Sequence, residues 1–326
     1  MGLSILTLEK YLKKVCYLSL FSFFLLIFNV NFAFAQSANM PDRVTQVEMA
    51  LSGSISSGSI TDRVSNLENI IWGQTDYSDS LDTRLSKIYN AVFESSDQGS
   101  GIALDVNALE YSYSKEVTSG SILDRISNLE KKIYGSAYQS YSLMDRLSKL
   151  NNTLLGGKVN QVNVSVDAGK LVRFRILRTI SSKDSVAGDI VPLSVDENVT
   201  QNGAIIIPKG SYAELRVVQA DRAKHYLGGD GKLQVEFRFV TCSDGINRSL
   251  VLSKEAVEKN KSLPLTVGVS AAGLIILGPI GLITGFFVPG RDVEIQKNTL
   301  FYASLKDDSH IWGFLPNNGN SVNANQ

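Results

Sequence analysis

Apolar residues recur at helical spacing in six short stretches between residues 40 and 156, and from about residue 160 they switch to alternation. The first pattern predicts short amphipathic helices and the second predicts half-buried strands. In the second stretch Ile60, Val64, Leu67 and Ile71 fall in a, d-type spacing. The counterparts are Met40, Val44, Val47, Leu51; Leu81, Leu85, Ile88, Val92; Ile122, Ile126, Leu129, Ile133; and Leu143, Leu147, Leu150, Leu154. Each helix is therefore expected to carry one narrow apolar stripe on a polar cylinder. Ser59 with Asp62, Ser121 with Asp124 and Ser142 with Asp145 have capping-box spacing, and Gly73, Gly135 and Gly156 stand where a helix should stop.

The stretches are copies of one unit. SITDRVSNLENIIWG (59–73) and SILDRISNLEKKIYG (121–135) agree at ten of fifteen positions, 62 residues apart. Arg43, Arg63, Arg84, Arg125 and Arg146 mark the register at intervals of 20 or 21 residues, with Asp105 in the place of one arginine. One unit, GIALDVNALE (101–110), is degenerate. Repetition at a fixed period makes a spacer, an array or a binding surface far more readily than a catalytic pocket. A helix this short cannot offset its own ordering entropy, so the stripes must be covered. They are expected to pack on one another in a small solenoid or bundle, with oligomerisation through the stripes as the alternative. The candidate interface residues are Ile60, Val64, Leu67, Ile71, Ile122, Ile126, Leu129 and Ile133. The recurring arginine reads as a solvated or inter-helix charge, and its loss at Asp105 argues against an indispensable ligand contact.

The later runs are VNVSVDA (162–168), LVRFRIL (171–177), IVPLSV (190–195), AIIIP (204–208), YAELRVVQA (212–220), KLQVEFRFV (232–240), VEI (293–295) and LFYASL (300–305). Turn sequences such as Gln201-Asn202-Gly203 and Ser243-Asp244-Gly245 separate them. Together they predict an all-β sandwich or partly open barrel over 157–315, preceded by the six-unit helical region (36–156) and followed by a disordered tail (316–326). The fold class is α+β, multidomain.

Residues 263–290 interrupt the alternation with no charge, six glycines and a Gly281-x-x-x-Gly285 pair. Pro279 splits the stretch into halves too short to cross a bilayer as helices. The expectation is a Gly-rich apolar hairpin or kinked helical pair bent near Pro279, with Gly273, Gly278, Gly281 and Gly285 allowing close helix contact in a membrane. The alternative is apolar packing against the β-domain or between subunits.

Lys10, Lys13 and Lys14 precede an apolar run that ends in Ala33-Phe34-Ala35, so residues 1–35 read as a signal peptide with Gln36 as the first mature residue. An uncleaved inner-membrane anchor over residues 17–35 is the alternative. Without the leader, 29 basic and 31 acidic residues remain, and no basic patch suggests nucleic acid. Cys242 is then the single cysteine, which excludes an intrachain disulfide in the mature protein. His225 and His310 lack partners at metal-ligand spacing, so neither metal nor cofactor is expected. Ser181-Ser182-Lys183, His225 beside Asp221, and Gly228-Gly229-Asp230-Gly231 read as turns rather than as a nucleophile, a triad or a phosphate loop. No catalytic residue is assigned, and the expected protein is not an enzyme.

The segment AGKLVRFRILRTISSKDSVAGDIVPLSVDENV (168–199), with NGAIIIPKGS (202–211), GGDGKLQVEFRFVTCSDG (228–245), the apolar stretch and DVEIQKNTLFYASL (292–305), resembles a group of uncharacterised exported bacterial envelope proteins. More distantly it resembles the carboxy-terminal β-domain of the outer-membrane channel subunit of type IV secretion systems. In that family an aliphatic-Pro-x-Gly turn follows a strand, as Ile207-Pro208-Lys209-Gly210 does here, and a late helical hairpin crosses the outer membrane. The helical repeats and the lack of a proline-rich linker depart from that family. Leader, repeats, apolar stretch and resemblance together lead to the expectation of an exported protein of the periplasm, outer membrane or cell surface, partnered by a membrane, by itself or by another envelope protein. The functional expectation is a non-enzymatic envelope protein, a repeat spacer or oligomerisation array joined to a β-domain. The alternatives are a soluble periplasmic binding or assembly module and a secretion-channel-like component.

Overall fold

The computed structural model describes residues 39–223, 229, 231–263, 275–277, 283–288 and 292–316. The signal-peptide expectation, His225 and the tail beyond Pro316 lie outside these residues. From Val44 onward the chain forms one unit.

Six helices of thirteen residues each occupy the predicted positions: α1 (Met40–Ser52), α2 (Ile60–Trp72), α3 (Leu81–Phe93), α4 (Ile102–Ser114), α5 (Ile122–Tyr134) and α6 (Leu143–Leu155). Their ends are set locally. The Ser59 hydroxyl accepts from the Asp62 N–H at 3.2 Å and donates to its carboxylate at 2.7 Å, and Ser121 with Asp124 and Ser142 with Asp145 repeat the arrangement. Gly73 closes α2 in the left-handed region, at φ 74°, where a side chain would be strained.

Val64, Leu67, Ile71, Ile122, Ile126 and Leu129 are buried, and Ile60 and Ile133 half-buried. Most of the stripe is therefore covered within the chain. Helix α2 packs on α3 and α6, α3 on α4, and α4, α5 and α6 each on the other two. Helix α4 differs from the rest in being buried at every position from Ile102 to Glu110.

The β-domain contains β1 (Gln161–Val166), β2 (Leu171–Ile176), β3 (Ile180–Ser181), β4 (Ile190–Val195), β5 (Val199–Gln201), β6 (Ala204–Ile207), β7 (Tyr212–Asp221), β8 (Gly231–Thr241), β9 (Asn247–Val251), β10 (Ile275–Leu277), β11 (Ile283–Val288), β12 (Glu294–Ile295), β13 (Leu300–Leu305) and β14 (Ser309–Phe314), with helix α7 (Lys254–Ser262) after β9. Strands β8, β7, β4, β2, β13 and β9 follow one another, and β9 pairs back with β8, closing a six-stranded antiparallel barrel. A smaller sheet in the order β1, β14, β6, β5 forms a half-barrel. The alternation seen in the sequence is the burial pattern: Val172, Phe174 and Ile176 of β2 face the core, as do Val191, Leu193 and Val195 of β4.

Strand β8 is shared. Its residues 239–241 pair with β9 and close the barrel, whereas residues 231–236 pair with β11. Strand β11 in turn pairs with β10, so this end of the wall continues past the barrel as an open sheet. The described parts of the apolar insertion are thus strands, where the sequence predicts helices. Isoleucine, threonine, phenylalanine and valine dominate 283–288, and the unpaired edge of β8 offers a template that outweighs the helical reading. Gly285 stands opposite Gln234 and Leu277. Gly273, Gly278, Pro279 and Gly281 lie outside the described residues.

Candidate functional site

The recurring arginine is an inter-helix tie. Arg63 donates through Nε and Nη2 to Glu48 on the preceding helix at 3.0 and 2.6 Å. Arg84 holds Glu68 at 3.0 and 2.7 Å, Arg125 holds Glu110 at 3.1 and 2.7 Å, and Arg146 holds Glu130 at 2.9 and 2.8 Å. In each case Nη2 also donates to a residue one turn earlier on the glutamate's helix: Thr45, Ser65, Asn107 or Ser127. The glutamate always stands five residues after its own helix's register position. The arrangement is a ladder in which each rung joins one helix to the next.

All four glutamates are buried, and both partners of the Arg146–Glu130 pair are at most 4% exposed. Burial alone would push the Glu48 carboxyl up; the bonds from Arg63 and from Ser56 hold it below the ordinary value. The glutamates also fasten the loop that follows their helix, accepting from the N–H of Ser56 (3.3 Å), Thr118 (2.8 Å) and Tyr138 (2.9 Å). Such charge-assisted bonds, bidentate at Glu48, Glu68 and Glu130, fix both distance and angle between helices.

One rung has lost both halves. On α3 the glutamate position is Tyr89, and on α4 the arginine position is Asp105. The final glutamate position, on α6, is Asn151, and its side-chain amide donates to Asp105 at 3.2 Å. The last rung therefore folds back from α6 to α4, and α4, α5 and α6 close a ring of three.

Beside this altered rung lies a cleft of about 590 Å³, walled by the α3–α4 loop, α6 and the start of β1, including Ser100, Asp105, Ser148, Asn151 and Gln161. Burial pushes the Asp105 carboxyl up to about 6, against the bonds from the Ser100 hydroxyl and Asn151. Asn151 Oδ1 and Gln161 Oε1 are buried and accept no hydrogen bond. A second cleft, of about 630 Å³, separates α1, α4 and α5 from the barrel, with Met49, Asn107, Tyr212, Phe239 and Cys242 in its walls.

Helix α4 is the hinge-pin between array and β-domain. Asn107 donates to the Ser243 carbonyl at 2.7 Å, and Leu104 and Ala108 share a core with Ile205 and Phe314. The following loop docks on the Ile207-Pro208-Lys209-Gly210 turn through Val117 N–H to Lys209 carbonyl, 2.8 Å. Gly210 lies at φ 91°, and a Cβ there would stand 1.9 Å from the Val117 carbonyl oxygen.

The Ser181 hydroxyl donates to Asp184 at 2.9 Å and Ser182 to Asp292 at 3.1 Å, while both serines are buried rather than exposed. Burial, reinforced by Asp244, pushes the Cys242 thiol up and leaves it unreactive. His310 is an exposed position on β14. The glutamate positions were not singled out from the sequence, although glutamate recurs five residues after the register position in four of the six units.

No protein-family model matches the chain, and no curated protein matches it. Among solved structures the chain is similar to ComB10 of the Com type IV secretion system of Helicobacter pylori, with a TM-score of 0.24 and 17% identity, over 46% of this chain and 97% of that one. That likeness is too slight to transfer a function.

Proposed function

We propose that this chain is a non-enzymatic, exported cell-envelope protein in which the ladder-tied helices and the barrel form one stiff stand for the uncharged segment 263–290. The observation that carries this reading is the pairing of β11 with β8 along six residue pairs, which ties an uncharged apolar sequence into the barrel wall by main-chain bonds. The hydroxyls of Ser181 and Ser182 are spent on bonds to Asp184, within one turn, and to Asp292, across the domain. Among the described residues no helix is long and apolar enough to cross a membrane. The hairpin is then the segment that meets a membrane or another envelope protein.

Fractionation tests the reading. The protein should require detergent for release, its amino terminus should be Gln36, and Ile276→Arg should move it to the soluble fraction while its circular dichroism stays that of the parent. Release of the parent by osmotic shock alone would defeat the proposal in favour of a soluble periplasmic binding or assembly module, a reading favoured by the cleft between array and barrel. A pull-down from envelope extracts with and without the hairpin would then identify the partner, whether another envelope protein or a second copy.

A further inference from the structure

We propose that the cleft beside Asp105 is a binding site for a guanidinium group, the moiety missing from the altered rung. Every intact rung shows what this scaffold does with that group. A carboxylate accepts two of its N–H bonds, and a hydroxyl or amide oxygen three residues earlier accepts another. At the junction of α6 with α4 the corresponding positions are Asn151 and, three residues before it, Ser148, and both face the cleft. The side chain that would have entered from α4 is replaced by the shorter Asp105. The space is kept and the sign of its wall is reversed.

The cleft's free valences match such a group. Asn151 Oδ1 and Gln161 Oε1 are buried acceptors with no donor. Each oxygen of the buried Asp105 carboxylate takes one hydrogen bond, from Ser100 or from Asn151, and each has a second lone pair. A cleft lined by a buried carboxylate and by residues with unpaired amide oxygens suits a planar cation with five N–H donors better than it suits an anion or an apolar ligand. A metal ion is less suited, since the cleft offers one buried carboxylate, and no group of three or more His, Cys, Asp or Glu side chains able to hold a metal exists among the described residues. The other charged groups of the wall are the exposed Asp97 and Lys158, and the Lys158 ammonium donates to the Gln98 carbonyl at 3.4 Å. Asp105 titrates at about 6, so occupancy should fall as pH drops through that value.

The guanidinium can come from a free arginine-like metabolite or from an arginine of a partner segment, and titration calorimetry on the full chain in detergent separates the two. The probes are L-arginine, its uncharged isostere L-citrulline, L-lysine, and a blocked tripeptide with a central arginine. Arginine or the tripeptide should bind, whichever is tighter identifying the source, and citrulline should bind at least about tenfold more weakly for want of the charge-assisted bonds. Asp105→Asn, which keeps the shape, should abolish binding, and Gln161→Leu in the same cleft should weaken it, each with circular dichroism unchanged. Equal binding of arginine and citrulline, no binding of either arginine probe, or undiminished binding by both variants would overturn the assignment.

Discussion

The junctions α4–α5 and α3–α4 are built on the same repeat and held by different chemistry. At the first, Nε and Nη2 of Arg125 both donate to one oxygen of the buried Glu110 carboxylate. At the second, Tyr89 has replaced the glutamate and lies tilted against Phe93 of its own helix, ring centres 5.0 Å apart, while Asp105 has replaced the arginine and turned towards α6. Losing one half of a buried pair strands the other charge away from water, which costs about 3–5 kcal/mol, a large part of a domain's stability. Losing both removes the liability together with the bond. The chain therefore tolerates a rung that is whole or a rung that is gone, and the half rung is the expensive state.

The widest separation between the two junctions should come from making half rungs. Arg146→Ala, which leaves Glu130 buried, should cost about 3–5 kcal/mol in urea unfolding, and Arg146→Met combined with Glu130→Leu should recover most of it. If the double variant were as weak as the single one, the ladder would be contributing more than mutual neutralisation.

At the altered rung the sign reverses. The Asp105 carboxyl titrates at about 6 in the folded chain against an ordinary value of 3.8. Between those values the folded state holds a proton that the unfolded chain has released, so stability falls as pH rises through the window, and the cost is complete above pH 6. Asp105→Asn should therefore stabilise the protein by up to about 3 kcal/mol at pH 8 and by almost nothing at pH 4. Urea unfolding at the two pH values measures the difference; equal gains at both would show that the carboxyl is not the destabilising group.

Helix positions and caps were readable in the sequence because they depend on neighbours within four residues, such as Ser59 with Asp62. The strands whose alternation is long, β2, β4, β7 and β8, were equally readable. The short strands β3, β5 and β9 were not, since a few residues carry no period and their pairing is decided by distant partners, and β14, as long as β2, does not alternate in its sequence SHIWGF. The β character of 283–288 was hidden for the same reason, because the free edge of β8 is a property of the assembled barrel. Most instructive is α4: its sequence looks like a decayed repeat, yet it has been rewritten to be apolar on two sides. One side serves the array, and the other holds Ile205 and Phe314 of the half-barrel.

Two smaller effects sharpen the contrast between ladder and docking surface. Gly210→Ala forces a methyl group into the Val117 carbonyl from a left-handed backbone. It should cost about 1–3 kcal/mol and raise hydrogen exchange at Val117, leaving the amides of α6 unchanged. Ser142→Ala removes one cap and should cost about 1 kcal/mol, with fraying confined to the first turn of α6.

The return of the last rung from α6 to α4 has an arithmetical consequence for how such a protein can change length. An open stack lengthens by one unit at a time, because each new unit finds the same free face. In the ring of α4, α5 and α6 the last rung is spent inside the block, so a unit added after α6 would carry an arginine that meets Asn151 and no glutamate. Growth or loss should then proceed in blocks of three units, the 62-residue interval already visible between SITDRVSNLENIIWG and SILDRISNLEKKIYG.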